Sequence, residues 1–337
     1  MKRFIRAISA AIAGCAMLVA AAAPTKAEPV KVRLAYGIIP GVISPLVFLK
    51  PDILKHYGKT YTVDSTYIRA TSIALQGMAS GDVDLSYLSF TALASAIMNG
   101  GLDLKVIADI SSWSSQGYQG PEMVVKSDSG INSVKDLKGK ILAVTAKGTG
   151  FHYALLANLK KAGLQPSDYT VVEVGIAAMD AALRENRVQL ITTAAPFLYL
   201  SEKKGGVKRL FKPEDAMGDV QSLVLVGRTP FMKKHPEAMK DFMEDYIIGL
   251  RWFLDPKNHD EAVKLTAEFT KRPASNYGYA FTKKDFYRSP TATPDIKALQ
   301  SNIDLMQELG VIKQKVDVQP YVDLSYLNEA KKRLGLQ

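Results

Sequence analysis

The chain has 337 residues, of which 47% are hydrophobic and 23% charged, with a formal net charge of +10. This composition excludes a disordered or fibrous protein, and the length is ample for two cores. The basic balance is weakly suited to an anionic partner, but no cluster interleaves basic with aromatic residues as a nucleic-acid surface would, so nucleic acid is not an expected partner.

Lys2, Arg3 and Arg6 precede an apolar, alanine-rich run, and Thr25-Lys26-Ala27 offers a small-residue exit. Residues 1–27 therefore read as a secretory signal peptide, with the mature chain starting at Glu28. The run is too short for a membrane anchor, and nothing later reaches the roughly 18 apolar residues of a span. Ile12-Ala13-Gly14-Cys15 is similar to the lipobox of bacterial lipoproteins, which would leave Cys15 acylated; the apolar run continues through Met17, Leu18 and Val19, which suits cleavage near Ala27 better. Cys15 is the only cysteine, so the exported body would carry no disulfide, and its stability rests on core burial. Losing Lys2, Arg3, Arg6 and Lys26 leaves a charge of +6.

Residues 30–36 alternate apolar and charged side chains as a strand does, and end in a loop, 37–45, with two prolines and two glycines. A helix is expected over 46–57, a strand over 61–67, a helix capped by Thr71 or Ser72, strands at 83–87 and 104–110, and between them a helix ending at Asn99-Gly100-Gly101. Strands alternating with helices at this spacing predict mostly parallel sheets covered on both faces. Residues 111–120 are polar and read as a flexible crossing between two lobes.

Residues 139–163 are a second such unit. Ile141 to Thr145 is of strand length, and Phe151, Leu155, Leu156 and Leu159 follow at helical spacing. The loop between, Ala146-Lys147-Gly148-Thr149-Gly150, presents the free N–H groups of a helix start at the carboxyl end of a strand, which attracts anions. It is no P-loop, lacking Gly-Lys-Ser/Thr, and no dinucleotide fingerprint, since Tyr153 stands where the third glycine belongs. Strands at 171–174 and 188–193 and helices at 177–185 and from Pro196 repeat the order of the first half. Met78 to Leu85 superimposes on Leu183 to Leu190 at an offset of 105, as an internal repeat would. Residues 219–226 read as a strand and second crossing, and helices are expected over 230–253, 260–270, 293–310 and 323–334. Residues 274–290 are rich in aromatics without a period and read as a packed connection. The division expected is lobe I over 28–115 and 222–337, and lobe II over 116–221.

Ala79-Ser-Gly-Asp-Val-Asp-Leu85, Ser133-Val-Lys-Asp-Leu-Lys-Gly-Lys-Ile-Leu-Ala-Val144, Lys147-Gly-Thr-Gly150, Lys161-Ala-Gly-Leu164 and Ala195-Pro-Phe197 occur in one order. Together they make the chain resemble solute-binding proteins of ABC importers, of the nitrate, taurine and aliphatic-sulfonate type. The resemblance implies an α/β, two-lobed type II fold with a ligand between the lobes, a periplasmic location, a small organic anion as ligand, membrane permease subunits as partners, no cofactor and a monomer. By the same resemblance, ligand contacts would fall at Tyr36, Gly37 and Gly41; at Ser89, Phe90 and Thr91; at Gly148, Thr149, Gly150 and Phe151; and at Ala195, Pro196 and Phe197. The residues themselves add Trp113, which with Tyr118 lies in a polar segment with no period to bury it. Arg69 or Lys147 would supply positive charge. Relatives often carry a Trp-Asp-Pro-Phe-like segment where this chain has Ala194-Ala-Pro-Phe197, and an acidic residue where it has Gln189. On that reading the pocket has lost a carboxylate and a large aromatic, and a bulkier organic ligand, sulfonate or carboxylate, would fit.

An enzyme would need a nucleophile with its base, or clustered metal ligands. His56, His152, His235 and His259 have no metal spacing. Cytoplasmic relatives of the fold that make the pyrimidine of thiamine are the alternative, but their cysteine-rich motif is absent. A binding protein is expected.

Overall fold

The computed structural model describes residues 28–113 and 115–336, so the leader, its exit at Ala27 and Cys15 lie outside the described residues. The chain opens with β1 (Val30–Tyr36) and β2 (Tyr61–Tyr67), followed by α1 (Thr71–Ser80), β3 (Leu85–Ser89), α2 (Phe90–Asn99) and β4 (Leu104–Trp113). Next come β5 (Glu122–Lys126), β6 (Ile141–Val144), α3 (Gly150–Lys161), β7 (Thr170–Glu173), α4 (Ile176–Arg184), β8 (Leu190–Thr193), α5 (Phe197–Lys204) and β9 (Val207–Phe211). The short α6 (Glu214–Met217) leads to β10 (Val220–Arg228), and α7 (Thr229–Lys234), α8 (Pro236–Leu254), α9 (His259–Thr270), α10 (Ile296–Glu308) and α11 (Ser325–Arg333) follow.

These strands form two five-stranded sheets, ordered β2-β1-β3-β10-β4 and β7-β6-β8-β5-β9. Only β10 in the first and β5 in the second run antiparallel to their neighbours. β3 and β8 are buried along their whole length, as strands covered by helices on both faces must be. This is the two-lobed type II arrangement.

The offset of 105 is visible in the fold. α1 starts at Thr71 and β3 at Leu85, α4 at Ile176 and β8 at Leu190, and β3 and β8 hold the same place in their sheets. The residues just before the two strands also match. Asp84 Oδ2 accepts the N–H of Arg33 at 3.1 Å, and Gln189 Oε1 accepts that of Ile141 at 3.0 Å. Each ties the amino end of the central strand to its neighbour. Asp84 in addition holds the guanidinium of Arg33, at 2.8 Å from Nε. Gln189 thus stands at the end of β8 away from the cleft, and the expectation that its identity removes a carboxylate from the pocket is corrected.

Four other expectations change. The helix over 46–57 is two 3-10 turns, Leu46–Phe48 and Pro51–Ile53, because Pro51 has no N–H to continue a helix. Ser111 to Trp113 are not a flexible crossing but the buried end of β4; Ser222 Oγ of β10 donates to the Ser111 carbonyl at 2.7 Å, and the Ser112 N–H donates to the Tyr287 carbonyl at 2.9 Å. The return crossing is 212–219, since β10 already pairs Val220 with Trp113 in the first sheet. The helix over 230–253 breaks at His235, ahead of Pro236, into α7 and α8.

One buried acid on β4 predicts a pH dependence. Asp109 is 3% exposed and accepts from Gln221 Nε2 at 2.7 Å and from the Ser289 N–H at 2.8 Å. Burial outweighs these bonds and pushes its pKa up to about 6. A raised carboxyl pKa contributes stability that is present below its unfolded value, near 3.9, and lost as pH rises through 6. Urea unfolding of the native chain and of Asp109→Asn, each at pH 4 and pH 7.5, should show a difference that changes by about 2 kcal/mol between the two pH values. Parallel pH profiles would mean that Asp109 ionises inside the fold without cost.

Candidate ligand-binding site

The carboxyl ends of the parallel strands of both sheets face one cleft, the place where ligands of open α/β sheets lie. A cavity of about 710 Å³ opens there. From the first lobe it is lined by Ile38 and Ile39 after β1, Tyr67 at the end of β2, and Arg272, Ser275, Asn276, Tyr277, Gly278, Tyr279 and Lys284 after α9. From the second come Pro196, Phe197, Tyr199, Leu200 and Lys203. Of the four large hydrophobic side chains that are exposed among the described residues, Ile38, Tyr67 and Leu200 line this cavity, at 49%, 54% and 48%. Exposed apolar surface gathered in one concavity marks a binding site rather than chance.

The electrostatics of the lining are one-sided. It holds Lys203, Arg272 and Lys284 and no carboxylate. None of the three forms an ion pair among the described residues, whereas neighbouring cations do: Lys204 reaches Asp180 at 2.7 Å and Arg209 reaches Glu202 at 2.6 Å. The lobes meet along one wall, where the Tyr199 hydroxyl donates to the Lys284 carbonyl at 2.6 Å and the rings of Tyr199 and Tyr279 lie 5.4 Å apart. The Tyr279 hydroxyl is buried and has no partner. Burial pushes the Tyr199 phenol up to about 12 and that of Tyr279 further, so both remain neutral donors.

Of the residues expected from sequence, Pro196 and Phe197 line the cavity, and the others are outside its lining. Tyr36 backs Tyr67, with ring centroids 5.8 Å apart. Gly37 lies against the Tyr87 ring, which a Cβ would approach to 2.7 Å, and Gly41 lies against Phe286. Ser89 and Thr91 join hydroxyls at 2.8 Å, and Thr71 extends the chain to Ser89 at 3.2 Å. Ala195 is half-buried beside Pro196. Arg69 and Lys147 are not in the lining.

The start of α3 does not face the cavity. Thr149 caps the helix, accepting from the His152 N–H at 3.4 Å and donating to the Ala146 carbonyl at 2.7 Å. The Gly148 N–H donates to His152 Nδ1 at 3.1 Å, and burial first, then Lys147, lowers the His152 pKa, which suits a neutral acceptor. Gly150 is covered from the other lobe by Phe90 and Trp113, and the Trp113 ring lies 5.5 Å from that of Phe151. Trp113 is therefore 6% exposed, against the expectation drawn from its polar neighbours. Tyr118 instead packs edge-on to Tyr287 at 5.4 Å.

Sequence reasoning missed Tyr67, Tyr199, Lys203 and above all the segment from Arg272 to Lys284. Its aromatics follow no period, and an aperiodic aromatic run flanked by unpaired cations was the available sign; reading it as packing captured only Tyr277 and Phe281, which are buried. Among the described residues no group of three or more His, Cys, Asp or Glu is placed to hold a metal ion, and no helix is long and apolar enough to cross a membrane.

Comparison with known proteins finds relatives of this chain in sequence and in fold. The pattern of the family described as NMT1/THI5 like matches residues 63–258. A protein of Bacillus subtilis (strain 168) named for binding aliphatic sulfonates is 25% identical over 256 residues, 76% of this chain and 74% of that protein. The taurine-binding periplasmic protein of Escherichia coli (strain K12) is 28% identical over 213 residues, 61% of this chain and 64% of that protein. Among solved structures, the periplasmic aliphatic sulphonate binding protein SsuA of Escherichia coli superimposes with a TM-score of 0.68 at 19% identity, over 88% of this chain and 92% of its own. The desulfurization enzyme DSZB also superimposes, with a TM-score of 0.67 at 12% identity, over 90% of this chain and 99% of its own, so the fold alone does not separate binder from enzyme.

Proposed function

The chain belongs to the NMT1/THI5-like family, and from that premise we propose that it is the extracytoplasmic solute receptor of an ABC importer. It captures a small organic anion, a sulfonate or carboxylate with an apolar or aromatic body, between its lobes and delivers it as a monomer to the membrane permease. On this reading residues 1–27 are removed on export to the periplasm without lipidation of Cys15. Lobe I is taken as 28–115 and 222–337 and lobe II as 116–221.

The observation that carries the reading is the cavity between the lobes, lined by three unpaired cations, no carboxylate and three exposed apolar side chains. The cations hold the anionic group and the apolar wall takes the body of the ligand. Phe90 and Trp113 against Gly150 form a contact that only approaching lobes complete, with Ser89, Thr91, Thr149 and Phe151 positioning it. No turnover accompanies binding: the ligand is recovered unchanged.

Calorimetry of the mature chain against ethanesulfonate, benzenesulfonate and benzoate tests this. Binding of at least one, with the compound intact by mass spectrometry after incubation, is the expected outcome. Arg272→Glu should weaken that binding roughly tenfold by reversing a charge at the cavity. Unchanged affinity would place the anion away from this cavity, and conversion of the compound would make the protein an enzyme.

A further inference from the structure

The cations of the cavity are divided between the lobes. Lys203 lies in the last turn of α5 in the second lobe, while Arg272 and Lys284 follow α9 in the first. Charges of one sign brought together across a closing cleft oppose closure unless something between them carries the opposite sign. A monoanion offsets the cations of one lobe and leaves those of the other facing it. A ligand with an anionic group at each end satisfies both, and its charge then draws the lobes together.

The walls describe the rest of the molecule. Tyr67, Phe197, Tyr199, Tyr277 and Tyr279 give the cavity five aromatic side chains, and flat rings pack best on flat rings. The volume, about 710 Å³, falls in the range of pockets that enclose molecules well beyond a two-carbon sulfonate. The buried, unpartnered hydroxyl of Tyr279 leaves one neutral donor on this wall unused by the protein.

Resting on the reading of the cavity as the ligand site, we propose that the ligand is a planar aromatic dianion, with one anionic group held by Lys203 and the other by Arg272 and Lys284. The two probes that separate charge from shape are benzenesulfonate and 4-sulfobenzoate, which share a ring and differ by one carboxylate. In calorimetry with the mature chain the dianion should bind about fivefold tighter or more at low salt, the gain of one added ion pair at a partly exposed site. Lys203→Gln, a change at an exposed side chain, should weaken 4-sulfobenzoate more than benzenesulfonate and so remove most of that preference, because only the dianion has a second anionic group for the second lobe. Equal affinity for the two probes, or a preference that survives Lys203→Gln, overturns the dianion. So does binding of ethanesulfonate in preference to both aromatic probes, which would leave the anion receptor standing. Failure of every anion to bind overturns the receptor reading as well.

Discussion

Asp245→Ala is expected to destabilise the first lobe by about 3–5 kcal/mol and to lower its melting temperature by roughly 10 °C. Asp245 is on α8 and fully buried, and its carboxylate is the acceptor for a segment that cannot satisfy itself. The N–H groups of Lys55, His56 and Tyr57 donate to it at 2.8, 3.0 and 2.8 Å, and the Tyr61 hydroxyl at 2.9 Å. Burial and the adjacent carboxylate push the Tyr61 pKa far up, so the phenol remains a donor at every pH of interest. Alanine orphans all four donors and leaves a hole under the turn that follows Pro51. Asp245→Asn retains one acceptor oxygen and should lose about half as much. Calorimetric melting of the three proteins decides it: if alanine costs under about 1 kcal/mol, water replaces the carboxylate freely and the segment is not held from α8. β2 follows this segment and carries Tyr67 into the cavity, so the alanine variant should also bind ligand less well.

How much of this was legible beforehand depended on whether a feature left a period in the sequence. Alternation of strands and helices was readable, and so was the repeat, because Leu85 and Leu190 begin equivalent strands that are buried along their whole length. Ser111 and Ser112 misled because their partners, Ser222 and Tyr287, are far away in the chain and only the fold brings them near. Gln189 misled for a related reason. A position within a strand does not say which end of the sheet it occupies, and the bond to the Ile141 N–H puts it at the amino end. The loop that supplies Pro196 and leads into Phe197 was found because it follows a strand; Arg272 and Lys284 follow a helix and reach the cleft through a turn no local rule describes. The sequence therefore located the cleft and half-described one wall of it, while the cations of the cavity lining came from folding distant segments together.

Gly150→Val should leave the protein folded but shift it away from the closed form. A Cβ at Gly150 would lie 2.8 Å from Cη2 of Trp113 and 3.3 Å from Cε1 of Phe90, both in the first lobe, while Gly150 itself begins α3 in the second. Its backbone is helical and needs no glycine for its own sake, so the substitution acts only where the lobes meet. Overpacking of a tight contact costs about 1–3 kcal/mol, and here the cost falls on the closed form alone. The closed population drops by the corresponding factor, and the apparent affinity for a ligand that requires closure drops with it, roughly 10–100-fold. Scattering separates this from a local clash with the ligand. At saturating 4-sulfobenzoate the native chain should contract and its Trp113 emission should shift, since that ring packs on Phe151 only when the lobes touch, whereas Trp252, held against Phe253 and Lys50 in the first lobe, stays constant. The valine variant should contract only at ligand concentrations roughly 10–100-fold higher than the native chain requires. Contraction of the variant to the native value, with native affinity, would mean that Trp113 and Phe90 yield without cost and that the contact at Gly150 is no part of the closing mechanism.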